Sequence, residues 1–273
     1  MKIRFEEVSF AYPSGVKALE AVNLQIESGQ CVALIGENGA GKSTLVKHLN
    51  GLLRPERGAV WVGDWNAAEH STAELAVRVG FLFQNPDDQL FERSVSREVA
   101  FGPRNLGLSG EELDDRVRKA LEQVGMLEES EKHPYDLPYP ERKLVALAAT
   151  LAMQTPILVL DEITVGQDAV QSDRLKELIQ ELKQESRSLI LISHDLDFCA
   201  DLADRVVVMA DGQVLDDGSV ERVLANAEVL AQAALHPPQL MRLAQALGMS
   251  VNPLGVEDFV VAYTAWREER RAK

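Results

Sequence analysis

With 273 residues, 46% hydrophobic and 26% charged, the chain has room for one large folded unit and an appendage, and lacks the composition of a disordered or low-complexity protein. Its 43 acidic against 28 basic side chains leave a net charge of -15, which argues against nucleic acid as a partner because a phosphate backbone would be repelled. The two cysteines, Cys31 and Cys199, lie far apart in apolar contexts without metal-ligand spacing, so they are expected to be buried, reduced thiols of a cytosolic protein.

The opening residues, MKIRFEEVSF, lack the apolar core of a signal peptide. Lys2–Phe10 alternates and runs into the turn residues Tyr12-Pro13-Ser14-Gly15; with Ala21–Ile26 it predicts antiparallel strands. Cys31–Ile35 is a short apolar run that suits a buried strand, followed by a glycine-rich loop and a helical pattern over Ser43–Leu52. Val60–Val62 and Val79–Phe83 are further strand candidates. Between Pro86 and Met153 the spacing turns helical, over Val95–Phe101, Glu112–Val124 and Glu141–Met153. The longest apolar run, Leu144–Met153, is about half the length of a membrane span. A strand at Ile157–Leu160, a helix at Arg174–Lys183 and a strand at Leu189–Ile192 follow. Asp211-Gly212 then marks a hairpin between Arg205–Met209 and Gln213–Leu215. Strands alternating with helices predict an α/β protein with a mostly parallel sheet. Residues 1–225 are expected to form the main unit, with a helical insertion over about 86–153. Residues 226–273, broken by Leu235-His236-Pro237-Pro238, are expected to form a small helical appendage.

Gly36-Glu37-Asn38-Gly39-Ala40-Gly41-Lys42-Ser43-Thr44 matches the Walker A pattern, with a strand before it and a helix after. Glycines let successive N–H groups wrap phosphates without Cβ clashes, and the helix start adds partial positive charge. Lys42 is expected to reach the β- and γ-phosphates of ATP, and the Ser43 hydroxyl to bind Mg²⁺. This motif alone leaves kinases, GTPases and motor ATPases open.

The apolar strand Ile157–Leu160 ends in Asp161-Glu162. Asp161 suits Mg²⁺, usually through a water, and Glu162 is placed to accept a proton from the attacking water. Ser193-His194-Asp195 follows the next apolar strand, where His194 can hydrogen-bond the γ-phosphate or the water. Gln84 closes Val79–Phe83 and can reach Mg²⁺ or the water. Tyr12 precedes the nucleotide loop and can stack on adenine.

Tyr12, the Walker A loop, Gln84, Asp161-Glu162 and His194 come in the order and approximate spacing of ABC transporter ATPases, which the first 225 or so residues resemble. The resemblance implies a P-loop (RecA-like) ATPase core with an antiparallel β subdomain and a helical subdomain. Phe83-Gln84-Asn85-Pro86-Asp87-Asp88-Gln89-Leu90-Phe91, Val99-Ala100-Phe101-Gly102-Pro103, His133-Pro134-Tyr135-Asp136-Leu137 and Pro237-Pro238-Gln239-Leu240 are similar to the ATPases of energy-coupling factor (ECF) transporters, including the cobalt and nickel branch. That likeness implies uptake of a vitamin or transition-metal ion from the cytoplasmic face of the membrane. Two ATPase subunits then drive a transmembrane coupling protein and a membrane substrate-binding subunit. It also implies docking of the coupling protein through Asp87 and Asp88, which on the plainer reading only cap the following turn, and a C-terminal appendage that helps hold the ATPase dimer.

The chain departs from this family at the signature loop, typically Leu-Ser-Gly-Gly-Gln, which reaches the ATP of the opposite subunit. Leu137-Pro138-Tyr139-Pro140-Glu141 stands there. The serine and both glycines are gone, the prolines offer no N–H, and Glu141 brings negative charge toward a triphosphate. Loss of one preorganised donor costs about 10²–10³ in rate, and several are lost here. Pro140 and Glu141 are also good helix-starting residues. After Glu162, Ile163 replaces the usual proline and Val165-Gly166-Gln167-Asp168 the usual small-Gly-Leu-Asp. The expectation is an asymmetric heterodimer whose competent site uses this chain's Lys42, Asp161, Glu162 and His194. Two alternatives stand beside it: a regulatory nucleotide-binding subunit with little hydrolysis, and a soluble ABC protein outside transport.

Overall fold

The computed structural model describes residues 1–271; the last two residues of the expected appendage lie outside them. Two sheets organise the fold. In the four-stranded antiparallel sheet, β1 (Ile3–Ala11) pairs on one side with β2 (Lys17–Ile26) and on the other with β4 (Arg57–Val62), which β5 (Trp65–Asn66) flanks. β1 alternates buried Ile3 and Phe5 with more exposed neighbours, as a half-buried strand should. The six-stranded sheet has the order β10-β9-β3-β8-β7-β6. It comprises β3 (Cys31–Ile35), β6 (Val79–Leu82), β7 (Ile157–Asp161), β8 (Ser188–Ile192), β9 (Arg205–Ala210) and β10 (Gln213–Gly218). All neighbours are parallel except the β9–β10 hairpin. β3, β6, β7 and β8 are buried at every position, which is why they read as continuous apolar runs.

Three helices lie between β6 and β7 in the chain: α3 (Val95–Asn105), α4 (Gly110–Val124) and α5 (Tyr139–Ala152). Their apolar faces meet β6–β8 and α6 (Ala169–Gln184) in one core, around Val99, Leu121, Leu147 and Leu158. A second core fills the space between the two sheets, and a third sits under α7 (Leu196–Leu202), α8 (Val220–Leu224), α9 (Ala227–Gln232) and α10 (Gln239–Ala246). Both cysteines are buried and free, and burial pushes the Cys31 thiol up to about 12.

Several elements differ from the sequence reading. The helix expected over Ser43–Leu52 is shorter: α1 spans Lys42–Val46 and continues as turns. His48 Nδ1 lies 2.8 Å from the Thr44 carbonyl, the group that would accept the His48 N–H in an α-helix; that N–H turns to Leu45 O instead. A side chain competing for a helix carbonyl tightens the chain toward i→i+3 bonding. α3 runs past Phe101 through Pro103, and α5 starts at Tyr139, two residues early, because Pro138 and Pro140 suit a first turn whose N–H groups are unpaired anyway. β5, α2 (Thr72–Leu75) and α7 have no counterpart in the pattern reading. α11 (Val256–Arg271) follows α10 at the C-terminal end.

Candidate functional site

Sheet register brings the motifs together. Leu34 is paired with Ile192, Asp161 with Ile192, and Leu160 with Leu82. The carboxyl ends of β3, β8, β7 and β6 therefore lie side by side. From them emerge the glycine-rich loop, Ser193-His194, Asp161-Glu162 and Gln84. Ligands of parallel sheets bind at this edge. The cleft there, about 270 Å³, is lined by Tyr12, Asn38, Gly39, Gly41, Lys42, Ser43, Thr44, Gln84, Asp161, Glu162 and His194 among others. Gly36 begins the loop but is not among the residues that line the cleft.

The loop's shape needs its glycines. A Cβ on Gly36 would stand 2.2 Å from Met209 O, and one on Gly41, at φ +97, 2.6 Å from Ala18 O. Lys42 is nearly buried, and its Nζ donates to the carbonyls of Gly36 at 2.7 Å and Glu37 at 2.8 Å. Burial holds its ammonium below the usual lysine range, and the charges of Glu162, Asp161 and Glu37 oppose that. At the far end Tyr12 is half-buried; its hydroxyl shares a 2.9 Å hydrogen bond with Thr44 Oγ1, and its ring meets Phe10 edge-on.

Asp161 and Glu162 are 2% and 3% exposed, so water does little to stabilise their charges. Burial raises the pKa of each; for Asp161 the Ser43 hydroxyl and then Lys143, Lys47 and Lys42 oppose it, while for Glu162 the Asp161 charge adds to it. Asp161 Oδ1 is buried without a protein partner. An orphaned carboxylate oxygen beside a serine hydroxyl fits a hard divalent cation, which takes oxygen ligands. Glu162 has φ +54, a left-handed conformation uncommon outside glycine, and it turns the chain out of β7. His194 Nε2 is 3.0 Å from Glu162 Oε1, and that buried oxygen makes no hydrogen bond within the chain. Burial and then the Lys42 charge push the His194 imidazole below its usual range.

One side chain beside the site was passed over by the pattern reading. Lys143 on α5 is 1% exposed, and its Nζ donates to Gln84 O at 3.0 Å and also to Glu162 O. Burial lowers its pKa to about 8, against the pull of the Glu162 and Asp161 charges. Tyr139 Oη donates to the same Gln84 carbonyl at 3.3 Å. Gln167 Nε2 donates to Pro140 O at 3.1 Å, so the loop after Glu162 is tied to the start of α5. Asp87 pairs with Arg142 at 3.3 Å, and the turn at Pro86–Asp88 is capped by Asn85 rather than by Asp87 or Asp88. A charged side chain on a helix surface and a buried one look alike in sequence, so only a lysine inside the apolar run of α5 could have signalled Lys143.

Parallel strands that deliver a phosphate loop and an acidic strand end to one edge are the mark of P-loop nucleoside triphosphatases, and this chain is one. The sequence profile of the ABC transporter family matches residues 19–165. The chain is 39% identical over 252 residues to the energy-coupling factor transporter ATP-binding protein EcfA of Methanocaldococcus jannaschii, spanning 92% of this chain and 90% of that one. It is 42% identical over 240 residues to a putative ABC transporter ATP-binding protein of Geobacter sulfurreducens, spanning 88% and 95%. The solved structure of cbiO1 from Clostridium perfringens, part of the ABC transporter complex cbiONQ, superposes with a TM-score of 0.74 at 32% identity, covering 90% of this chain and 98% of that one. The chain belongs to the ABC transporter family of ATP-hydrolysing subunits. Among the described residues, no helix is long and apolar enough to cross a membrane.

Proposed function

We propose that the chain is the ATP-hydrolysing subunit of an ECF-type importer, working at the cytoplasmic face of the membrane to drive uptake of a vitamin or transition-metal ion that a membrane subunit selects. The observation that carries this reading is the convergence of Lys42, Asp161, Glu162, Gln84 and His194 on one cleft with the phosphate loop. ATP lies with adenine against Tyr12 and its triphosphate in the loop 36–44. Lys42, now bonded to two carbonyls of its own loop, turns its ammonium to the β- and γ-phosphates. Ser43, Asp161 and Gln84 would hold Mg²⁺, which would supply positive charge against the phosphate oxygens. Glu162, raised in pKa by burial, takes a proton from the water as its oxygen bonds to the γ-phosphorus and the bond to the β,γ-bridging oxygen breaks. His194, held toward its neutral form, hydrogen-bonds the γ-phosphate.

The partners follow the same reading. A groove of about 720 Å³ runs between the helices after β6 and the sheet, with Phe91 and Phe101 exposed at its wall and packed edge-on at 4.7 Å. We take it, with Asp87 and Asp88 just before it in the chain, as the seat of the transmembrane coupling protein. Residues 1–225 make the ATPase unit, with 86–153 its helical part, and 226–273 join the ATPase dimer. α11 supports this with exposed Val256, Val260 and Val261 and the stacked series Phe259, Tyr263 and Trp266.

The dimer is an asymmetric heterodimer. Pro138 caps α5 without a side-chain hydrogen bond and Pro140 sits in its first turn, so the stretch that should hold the opposite ATP is short of N–H donors. The partner ATPase subunit supplies a working signature to this chain's own site. The test is ATP turnover of the purified chain alone and with its natural ATPase partner. Slow turnover alone and fast turnover together are expected; equal, robust rates would remove the asymmetry. Slow turnover in both states, with tight ATP binding, would favour the second reading, a regulatory nucleotide-binding subunit.

A further inference from the structure

We propose that Lys143 is a positioning residue for hydrolysis: its buried ammonium fixes the backbone of Glu162 and of Gln84 at once, so the base and the water-side glutamine are set by one group on α5. The inference rests on Glu162 as the base.

Glu162 is a non-glycine residue at φ +54, a conformation that persists only where the surroundings over-determine it. Both sides of the residue are held. Its N–H donates to Ile192 O at 2.8 Å, on the neighbouring strand β8. Its carbonyl accepts from Lys143 Nζ. With the second tie removed, the residue is free to relax toward the extended backbone that continues β7, and that rotation re-aims its carboxylate. The same Nζ holds Gln84 O at 3.0 Å, where Tyr139 Oη also donates. Gln84 and Glu162 leave adjacent parallel strands, β6 and β7, and their carbonyls share one donor.

An ammonium that is 1% exposed is costly to bury, and an apolar side chain would match the rest of α5, buried and apolar from Leu144 through Ala148, at less cost. A lysine here is therefore better explained by its two carbonyls than by packing. Glu162 and then Asp161 are the charges that act on it from the strand end.

A purely structural tie and a positioning residue predict different couplings. The test uses the full chain assembled with its ATPase partner and compares single-turnover hydrolysis of ATP, nucleotide affinity and melting for wild type, Lys143→Met, Glu162→Gln and the double variant. Lys143→Met is expected to lower the hydrolysis rate about 10²-fold, the scale of a small misplacement of a reacting group, while ATP affinity holds within about twofold. In the Glu162→Gln background the same change is expected to cost less than about twofold, because the two residues act as a unit. Equal losses in both backgrounds, or a wild-type rate in Lys143→Met, would overturn the proposal. Lys143→Gln, which keeps an N–H donor without the charge, repeats the comparison if Lys143→Met does not fold. Failure of both variants to melt as folded protein would make Lys143 a structural tie and overturn it too. Wild-type turnover by Glu162→Gln alone would instead overturn the choice of base, a result distinct from equal losses.

Discussion

Glu162→Gln is the perturbation that separates chemistry from binding most cleanly in this site. The amide keeps the shape of a side chain that is 3% exposed and removes only its ability to take a proton. A positioned general base is worth about 10²–10⁴ in rate, or about 3–5 kcal/mol of barrier. Burial, the first cause of its raised pKa, makes Glu162 a stronger base than an exposed glutamate. Binding should move the other way. A bound triphosphate would face two buried carboxylates, and deleting one charge lowers the repulsion, so ATP affinity should stay the same or tighten. Folding stability should not fall, since the variant no longer buries a charge beside Asp161. Single-turnover hydrolysis of γ-labelled ATP by the chain with its ATPase partner, with nucleotide titration and melting of the same samples, reads all three. Turnover within about threefold of wild type would refute Glu162 as the base. A rate loss matched by an equal loss of affinity would show that the residue serves binding.

Glu98 is 3% exposed, and its Oε2 accepts the backbone N–H groups of Phe91 at 2.8 Å and Glu92 at 2.7 Å. Glu98→Ala leaves both donors without a partner and should cost about 1–3 kcal/mol by chemical denaturation; no loss would mean that the segment carrying Phe91 relaxes to water. His48 is 1% exposed, with Nδ1 on Thr44 O and Nε2 buried without a partner, and burial holds its pKa below the ordinary histidine value. The unfolded chain takes up the proton more readily, so stability is expected to fall as pH drops from about 6.5 through the lowered folded pKa. Denaturation at about pH 7.5 and about pH 5 should show a smaller acid loss in His48→Gln than in wild type, and equal losses would acquit His48.

Much of the site was legible because its chemistry is written in short contiguous runs. Gly36 to Thr44 is one unbroken loop, and Asp161-Glu162 and Ser193-His194 each follow an apolar strand. The alternation of strands and helices carried the fold class in the same way. Boundaries were less legible where a side chain redirects the backbone, as His48 does at Thr44 to shorten α1, or where a proline starts a helix rather than stopping it, as at the head of α5. The short elements β5, α2 and α7 are too brief for periodicity to register.

By itself the sequence determined the ingredients: a phosphate loop, two carboxylates after a buried strand, and a histidine after another. Only the tertiary structure decided that they share one cleft, because parallel pairing aligns the carboxyl ends of β3, β8, β7 and β6 across residues that are far apart in the chain. It alone revealed Lys143, whose partners are backbone carbonyls 59 and 19 residues away. Every residue carries a carbonyl, so no residue type marks which of them a buried ammonium will meet; packing of α5 against the sheet makes that choice.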